Sequence, residues 1–184
     1  MVKLLAIAED FDGEIAVRVH PAMVPEHHPL ASVRDAFNAV FIEGDAVGEL
    51  MLYGRGAGGM PTASAVLGDL VDAAKNLVEG RKGATIGTMS ARPIRAIEQV
   101  ESQFYLQMEV VDRPGVLHAI SGEFLAREVS VRSMRQLGNG DDARLIFVTH
   151  KAREADLRAA ADAIAGLETV HRVGSVLRVI GEEE

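Results

Sequence analysis

Gly54-Arg55-Gly56-Ala57-Gly58-Gly59-Met60-Pro61-Thr62-Ala63-Ser64-Ala65 decides between two fold classes. Gly54, Gly56 and Gly59 have the G-x-G-x-x-G spacing of a dinucleotide-binding turn. An apolar strand-like run (Ala46 to Tyr53) precedes them and a helix-like run (Thr62 to Leu77) follows. A nucleotide-binding crossover also needs a second parallel strand about 20 residues on, ending in an acid for the ribose. Here the helix runs instead into Glu79-Gly80-Arg81-Lys82-Gly83, charged and glycine-punctuated. The preceding strand reads as the return arm of a hairpin turning at Gly44-Asp45, which a first parallel strand is not. The glycines therefore serve some other close approach, and the class is α+β rather than doubly wound α/β.

Outward from this run, residues 1–80 read as strand, strand, proline-rich stretch, hairpin and helix. Val2 to Ala8 and Glu14 to His20 flank the turn signal Asp12-Gly13. Pro21, Pro25 and Pro29 predict an extended, irregular path. Phe37 to Glu43 and Ala46 to Tyr53 form the second hairpin. Pro61 suits the first turn of the following helix, whose apolar face carries Val66, Leu70, Ala73, Ala74 and Leu77. Residues 81–102, with Arg81, Lys82, Arg92 and Arg95 among small residues, read as a linker.

Residues 103–184 form a clearer unit. Phe104, Leu106, Met108 and Val110 alternate with polar neighbours, a half-buried strand. Pro114 and Gly115 break it, and Leu117, Ile120 and Phe124 mark a helix ending near Arg127. Val129 to Leu137 and Arg144 to His150 are strands around the turn Gly138-Asn139-Gly140-Asp141. A second helix carries Leu157, Ala160, Ala161 and Ile164 on one face, and Val170 to Ile180 is the last strand. The order βαββαβ is the ferredoxin-like split pair of βαβ units.

The 184 residues leave room for one or two small domains, at roughly 100–200 residues each. With 48% apolar residues a substantial core is expected. A net charge of −8 argues against nucleic acid, whose phosphates that field repels. The absence of cysteine excludes disulfides, thiol nucleophiles and thiolate metal sites. The N-terminal apolar run is too short for a signal peptide, and no window reaches the ~18 apolar residues of a membrane span. Cytoplasmic residence is the expectation. Met1 stands directly before a core-like strand with no lead-in, as in a piece of a longer protein.

Chemistry concentrates in Val111-Asp112-Arg113-Pro114-Gly115-Val116-Leu117. Free N–H groups and the positive end of a helix dipole suit a carboxylate there, and Arg113 can add a bidentate clamp. Alternatively, Asp112 and Pro114 merely start a helix. His20, Glu26, His27 and His28 have metal-ligand chemistry, but adjacent histidines in a proline-rich loop rarely converge, so no metal is expected. Asp69 and Asp72 read as a solvated helix face.

Within the βαββαβ frame, the Asp112-to-Leu117 loop and Val129-Ser130-Val131-Arg132-Ser133-Met134-Arg135-Gln136 resemble the ACT domain family over residues 103 to 180. That family typically binds amino acids, usually as paired modules. The resemblance implies an effector site at Asp112, Arg113, Pro114, Gly115, Val116, Leu117 and Gln136. Gln136 is either a contact to a bound amino acid or a solvated strand residue. Val2-Lys3-Leu4-Leu5-Ala6, Asn38-Ala39-Val40, the glycine run and Gly68-Asp69-Leu70 resemble the C-terminal part of homoserine dehydrogenases, bacterial members of which often carry an ACT domain.

This second resemblance implies a chain made of the end of the catalytic substrate domain plus a regulatory domain. Gly56, Ala57, Gly58 and Thr62 would then lie near the NADP or NAD of the parent enzyme. The nucleotide fold, catalytic lysine and substrate-positioning acids precede this region in the family. Hence no catalytic residue is assigned, Lys3 and Lys75 read as surface, and the chain alone is expected to bind no cofactor and to be inactive. The implied partners are an amino-acid effector, threonine first, and copies of the chain joined through paired ACT domains and exposed sheet. Neither nucleic acid nor membrane is expected. The alternative is a free-standing amino-acid-binding regulator.

Overall fold

The computed structural model describes residues 1–82, 90–140 and 143–181. Its elements in chain order are β1 (Val2–Phe11), β2 (Glu14–Met23), β3 (Phe37–Gly44), β4 (Gly48–Arg55), α1 (Gly59–Val78) and β5 (Glu101–Val110). Then come α2 (Val116–Leu125), β6 (Val131–Leu137), β7 (Ala143–Thr149), β8 (Ala152–Arg153), α3 (Glu154–Ala165) and β9 (Val170–Val179). Linker residues 83–89, Asp141 of the predicted turn and residues 182–184 lie outside the described residues. The α+β class and the βαββαβ order hold.

Two compact units emerge, Met1–Pro25 with Arg92–Glu184, and Glu26–Ala91. In the first, the sheet order is β1-β2-β9-β5-β7-β6, with β8 on the free part of β5. β9-β5-β7-β6 is antiparallel throughout. β5 is central because alternate residues are apolar: Phe104, Leu106, Met108 and Val110 are all buried. They meet Val116, Ile120 and Phe124 of α2, Leu145 and Phe147 of β7, and Leu157, Ala160 and Ile164 of α3. Phe124 and Phe147 pack edge to face with centroids 5.4 Å apart. Phe104 lies between the stretches of β5 that pair with β7 and with β8, and there the buried hydroxyl of Thr149, the last residue of β7, accepts from Phe104 N at 3.1 Å, keeping that amide satisfied.

The buried face of α2 differs from the predicted one. Counting back from Phe124 in steps of four gives Ile120 and Val116, and these are buried. Leu117 is 39% exposed and turned away from the core.

The β1–β2 hairpin shares this sheet, so the structural division cuts across the sequence boundaries at 80 and 103. β2 runs through Pro21 to Met23 and meets β9 in parallel at Ala22↔Arg178 and Met23↔Val179. Pro21 is tolerated because β9 joins β2 only beyond it, so no ladder bond on that edge needs its missing N–H. At the other end, residues 92–95 of the expected linker are ordered against the hairpin. Ile15 N donates to Pro93 O and Arg95 N to Ile15 O, both at 3.0 Å. The Arg95 guanidinium lies 4.0 Å from the Phe11 ring centroid and pairs with Glu14 at 2.9 Å.

The second unit contains the β3–β4 hairpin and α1. Its register pairs Gly44 with Gly48, so the loop is Asp45-Ala46-Val47 and β4 begins later than the predicted Ala46. The predicted two-residue turn at Gly44-Asp45 is therefore replaced by a three-residue loop, with Gly44 the last residue of β3 and Gly48 at φ +68° the first of β4. α1 starts at Gly59, three residues before the predicted Thr62, and none of its residues is buried. Among the described residues no helix is long and apolar enough to cross a membrane.

Candidate functional site

At one end of the βαββαβ sheet, three connections converge. Val111 N, just past β5, donates to Thr169 O at 3.0 Å, and Asp112 N donates to Gly140 O at 3.0 Å. The β5–α2 loop is thus tied to the α3–β9 connection and to the β6–β7 turn. Gly115 then enters α2 with φ +95°, ψ −15°, a left-handed conformation that costs glycine nothing. No side chain caps α2, and its first amide, Val116 N, donates to the loop carbonyl of Arg113 at 3.4 Å.

The loop borders a hollow of about 350 Å³. All seven predicted effector residues line it: Asp112, Arg113, Pro114, Gly115, Val116, Leu117 and, from a different strand, Gln136. Gln136 reaches this place by register, since it lies opposite Leu145, whose side chain points into the helix-covered face. Val110, Val111 and Leu145 complete the lining and were missed by motif reading. Their signal was the period-two alternation that turns Val110 and Leu145 inward. The hollow combines an uncapped helix N-terminus, one cation, one carboxylate, one amide and an apolar floor. That set matches a small zwitterion with a short side chain.

The glycine run forms a tight strand-to-helix connection in the second unit. Gly56 N donates to Ala36 O at 2.9 Å, and Thr62 N to Gly58 O at 3.1 Å, so the Thr62 amide already serves the first turn of α1. Gly58 is the residue before α1, with φ +125°. Gly56 borders a shallower hollow of about 290 Å³ with Asn38, Tyr53 and Arg55, which Ala57, Gly58 and Thr62 do not line.

His20 and His28 make other contacts. His28 Nδ1 accepts from Leu30 N at 3.1 Å, and its ring lies 4.8 Å from that of Phe41. His20 is buried, and its Nδ1 donates to Pro21 O at 3.1 Å. Among the described residues no group of three or more His, Asp or Glu could hold a metal ion. Asp72 faces solvent beside Lys75, 3.9 Å away.

Residues 1–71 match the homoserine dehydrogenase family model, and residues 104–169 match the ACT domain model. The homoserine dehydrogenase of Mycobacterium leprae is 47% identical over 191 residues, covering 98% of this chain. Nearly the whole chain is similar to homoserine dehydrogenases. The Corynebacterium glutamicum homoserine dehydrogenase is 45% identical, covering 97% of the chain. A crystal structure of homoserine dehydrogenase from Thiobacillus denitrificans superimposes with a TM-score of 0.88 at 34% identity, over 97% of this chain and 42% of that one. The chain spans less than half the length of these homoserine dehydrogenases, 43% and 41% of the two sequences. In homoserine dehydrogenase terms, the hollow at Asp112–Leu117 lies within the ACT-matched region, and the glycine run within the dehydrogenase-matched region.

Proposed function

We propose that this chain is the C-terminal part of a cytoplasmic homoserine dehydrogenase, with the ACT domain acting as the sensor of an end-product amino acid, threonine first. The observation that carries the sensor reading is the gathering of Asp112, Arg113 and Gln136 with the uncapped start of α2 around one hollow. The effector carboxylate would sit at the α2 N-terminus beside Arg113, its ammonium against Asp112, and its hydroxyl near Gln136. Calorimetry on the purified chain tests it. Threonine should release heat, Asp112→Ala should abolish or strongly weaken it, and the absence of heat with every amino acid would overturn the effector reading.

The parent reaction is the interconversion of aspartate semialdehyde and homoserine by hydride transfer with NADP or NAD. Such a transfer needs a held cofactor, an oriented carbonyl and a proton donor within reach. This chain contributes a loop, Gly56, Ala57, Gly58 and Thr62, that lies near the cofactor in the assembled enzyme. By itself the chain turns over nothing, and measurable NADP-dependent oxidation of homoserine by it would sink that statement. Copies associate through paired ACT domains and exposed sheet, which sedimentation checks as a mass above 19.7 kDa.

A second reading, a free-standing amino-acid-binding regulator, is favoured by one observation. Every residue of the main core comes from the ACT-like half, Phe104 through Val170. Upstream DNA discriminates: an in-frame nucleotide-binding domain supports the enzyme, whereas a stop codon and ribosome site support the regulator.

A further inference from the structure

We propose that His20 is a proton-sensitive fastener, and that its protonation releases the β1–β2 hairpin from the βαββαβ sheet. The seam between them is thin in backbone terms. β2 and β9 pair only at Ala22↔Arg178 and Met23↔Val179, and one further bond runs from Ile180 N to Met23 O at 3.0 Å. The rest of the seam is made by side chains on one face of β2, where Ala16, His20 and Ala22 are buried. Arg178 lies opposite Ala22 on one side and Phe104 on the other, which puts its guanidinium on that face. There it grips Glu154 of α3 twice, Nε to Oε2 at 2.9 Å and Nη2 to Oε1 at 2.7 Å. Glu154 is 6% exposed and His20 8%.

His20 is held as a neutral ring by this surrounding. Its Nδ1–H is spent on Pro21 O, so the lone pair sits on Nε2. Nε2 is buried and has no hydrogen-bond partner. Protonation would create an N–H there with no acceptor, inside a seam that already holds two guanidiniums. The charged groups around the ring are Arg18 on β2, bound to Glu9 of β1, Arg178 on β9, and Glu154 on α3, which Arg158 also contacts at 3.2 Å. Burial, foremost, together with Arg178 and Arg18, lowers the His20 pKa below 6.5, against the opposing pull of the Pro21 carbonyl and Glu154.

The sign follows. A released hairpin exposes an ordinary histidine, which binds its proton at higher pH than the docked one. Docking is therefore at full strength above about pH 6.5 and weakens as pH falls from there through the lowered value. The hairpin tip stays tethered, because its attachments to residues 92–95 are backbone bonds and Arg–acid pairs rather than histidines.

The test is amide hydrogen exchange on the full chain between about pH 7.5 and pH 5.5, corrected for intrinsic rates, with the His20 ring followed by NMR over the same range. Protection of β1–β2 amides should fall by up to about tenfold per pH unit, the limit for one linked proton, while β5 and β7 amides hold. The fall should be absent in His20→Gln. Hairpin protection that ignores pH, or that falls equally in His20→Gln, overturns the proposal. Should His20→Gln not fold, the unmodified chain decides alone. Loss of hairpin protection must then share its midpoint with the His20 ring shift, and separate midpoints overturn the proposal.

Discussion

The side-chain amide of Asn38 occupies the space that a β-carbon on Gly56 would need. A Cβ built there would lie 2.0 Å from Nδ2 and 2.4 Å from Cγ of Asn38. The contact arises from the β3–β4 register, which places Asn38 opposite Gly54 and leaves its side chain over the next turn of chain. A side chain at the middle glycine of the run would thus have to move Asn38 within its own hairpin, whether or not a nucleotide ever approaches.

Gly56→Ala must therefore turn the exposed Asn38 side chain out of its present rotamer, at a cost of roughly 0.5–1.5 kcal/mol. Chemical denaturation should show that loss. Adding Asn38→Gly should recover most of it, giving a favourable coupling in the double-mutant cycle. Simple additivity of the two changes would mean that the contact is not what opposes a side chain there.

Gly115 makes the opposite case. A Cβ there would meet nothing within 4 Å, so only backbone conformation opposes a side chain. Gly115→Ala should cost roughly 1–2 kcal/mol through the left-handed φ, and threonine affinity should fall with the distorted loop. Unchanged stability together with unchanged affinity would contradict this account of the α2 entry.

Phe124 is 1% exposed and joins α2 to β7 through Phe147. Phe124→Ala should destabilise the first unit by about 3–5 kcal/mol, the range for emptying an aromatic core site. Urea unfolding followed by circular dichroism reads it directly.

Glu154→Ala should be damaging for a different reason. It leaves Arg178, whose side chain is 17% exposed, without its carboxylate partner. Removing one member of a buried pair costs about 3–5 kcal/mol. The double change Glu154→Ala with Arg178→Met removes the stranded charge and should recover part of the loss. No recovery would argue that packing rather than charge dominates this site.

On the open side of the sheet, the Arg172 hydrogen bond and charge hold the Glu109 carboxyl below its ordinary value of 4.5. Its contribution to stability is present above that value and is lost as pH falls through the lowered one. Carboxyl NMR should show Glu109 titrating low, and Arg172→Gln should return it toward 4.5.

The βαββαβ order was legible because each of its elements carries its own period. Phe104, Leu106, Met108 and Val110 alternate, while Leu157, Ala160 and Ile164 step by three and four. The effector-type loop was legible because Pro114 and Gly115 have strong local conformational preferences. Less legible was Leu117, since a one-residue phase shift on a ten-residue helix hardly changes its pattern. The partnership of the N-terminal hairpin was not legible at all. Nothing local in Val2–Met23 states which strand it will meet, and the answer depends on two residue pairs with β9 about 155 positions away.

Sequence by itself determined the element types, the α+β class, the loop at Asp112–Leu117 and the family that the glycine run resembles, because these follow from short-range periodicity, turn chemistry and motif. Tertiary structure alone decided that the Asn38 side chain lies against Gly56, that the N-terminal hairpin joins β9, and that His20 is a buried ring beside Arg178 and Glu154. Each of these depends on strand register and long-range pairing, where a shift of one residue turns a side chain to the opposite face.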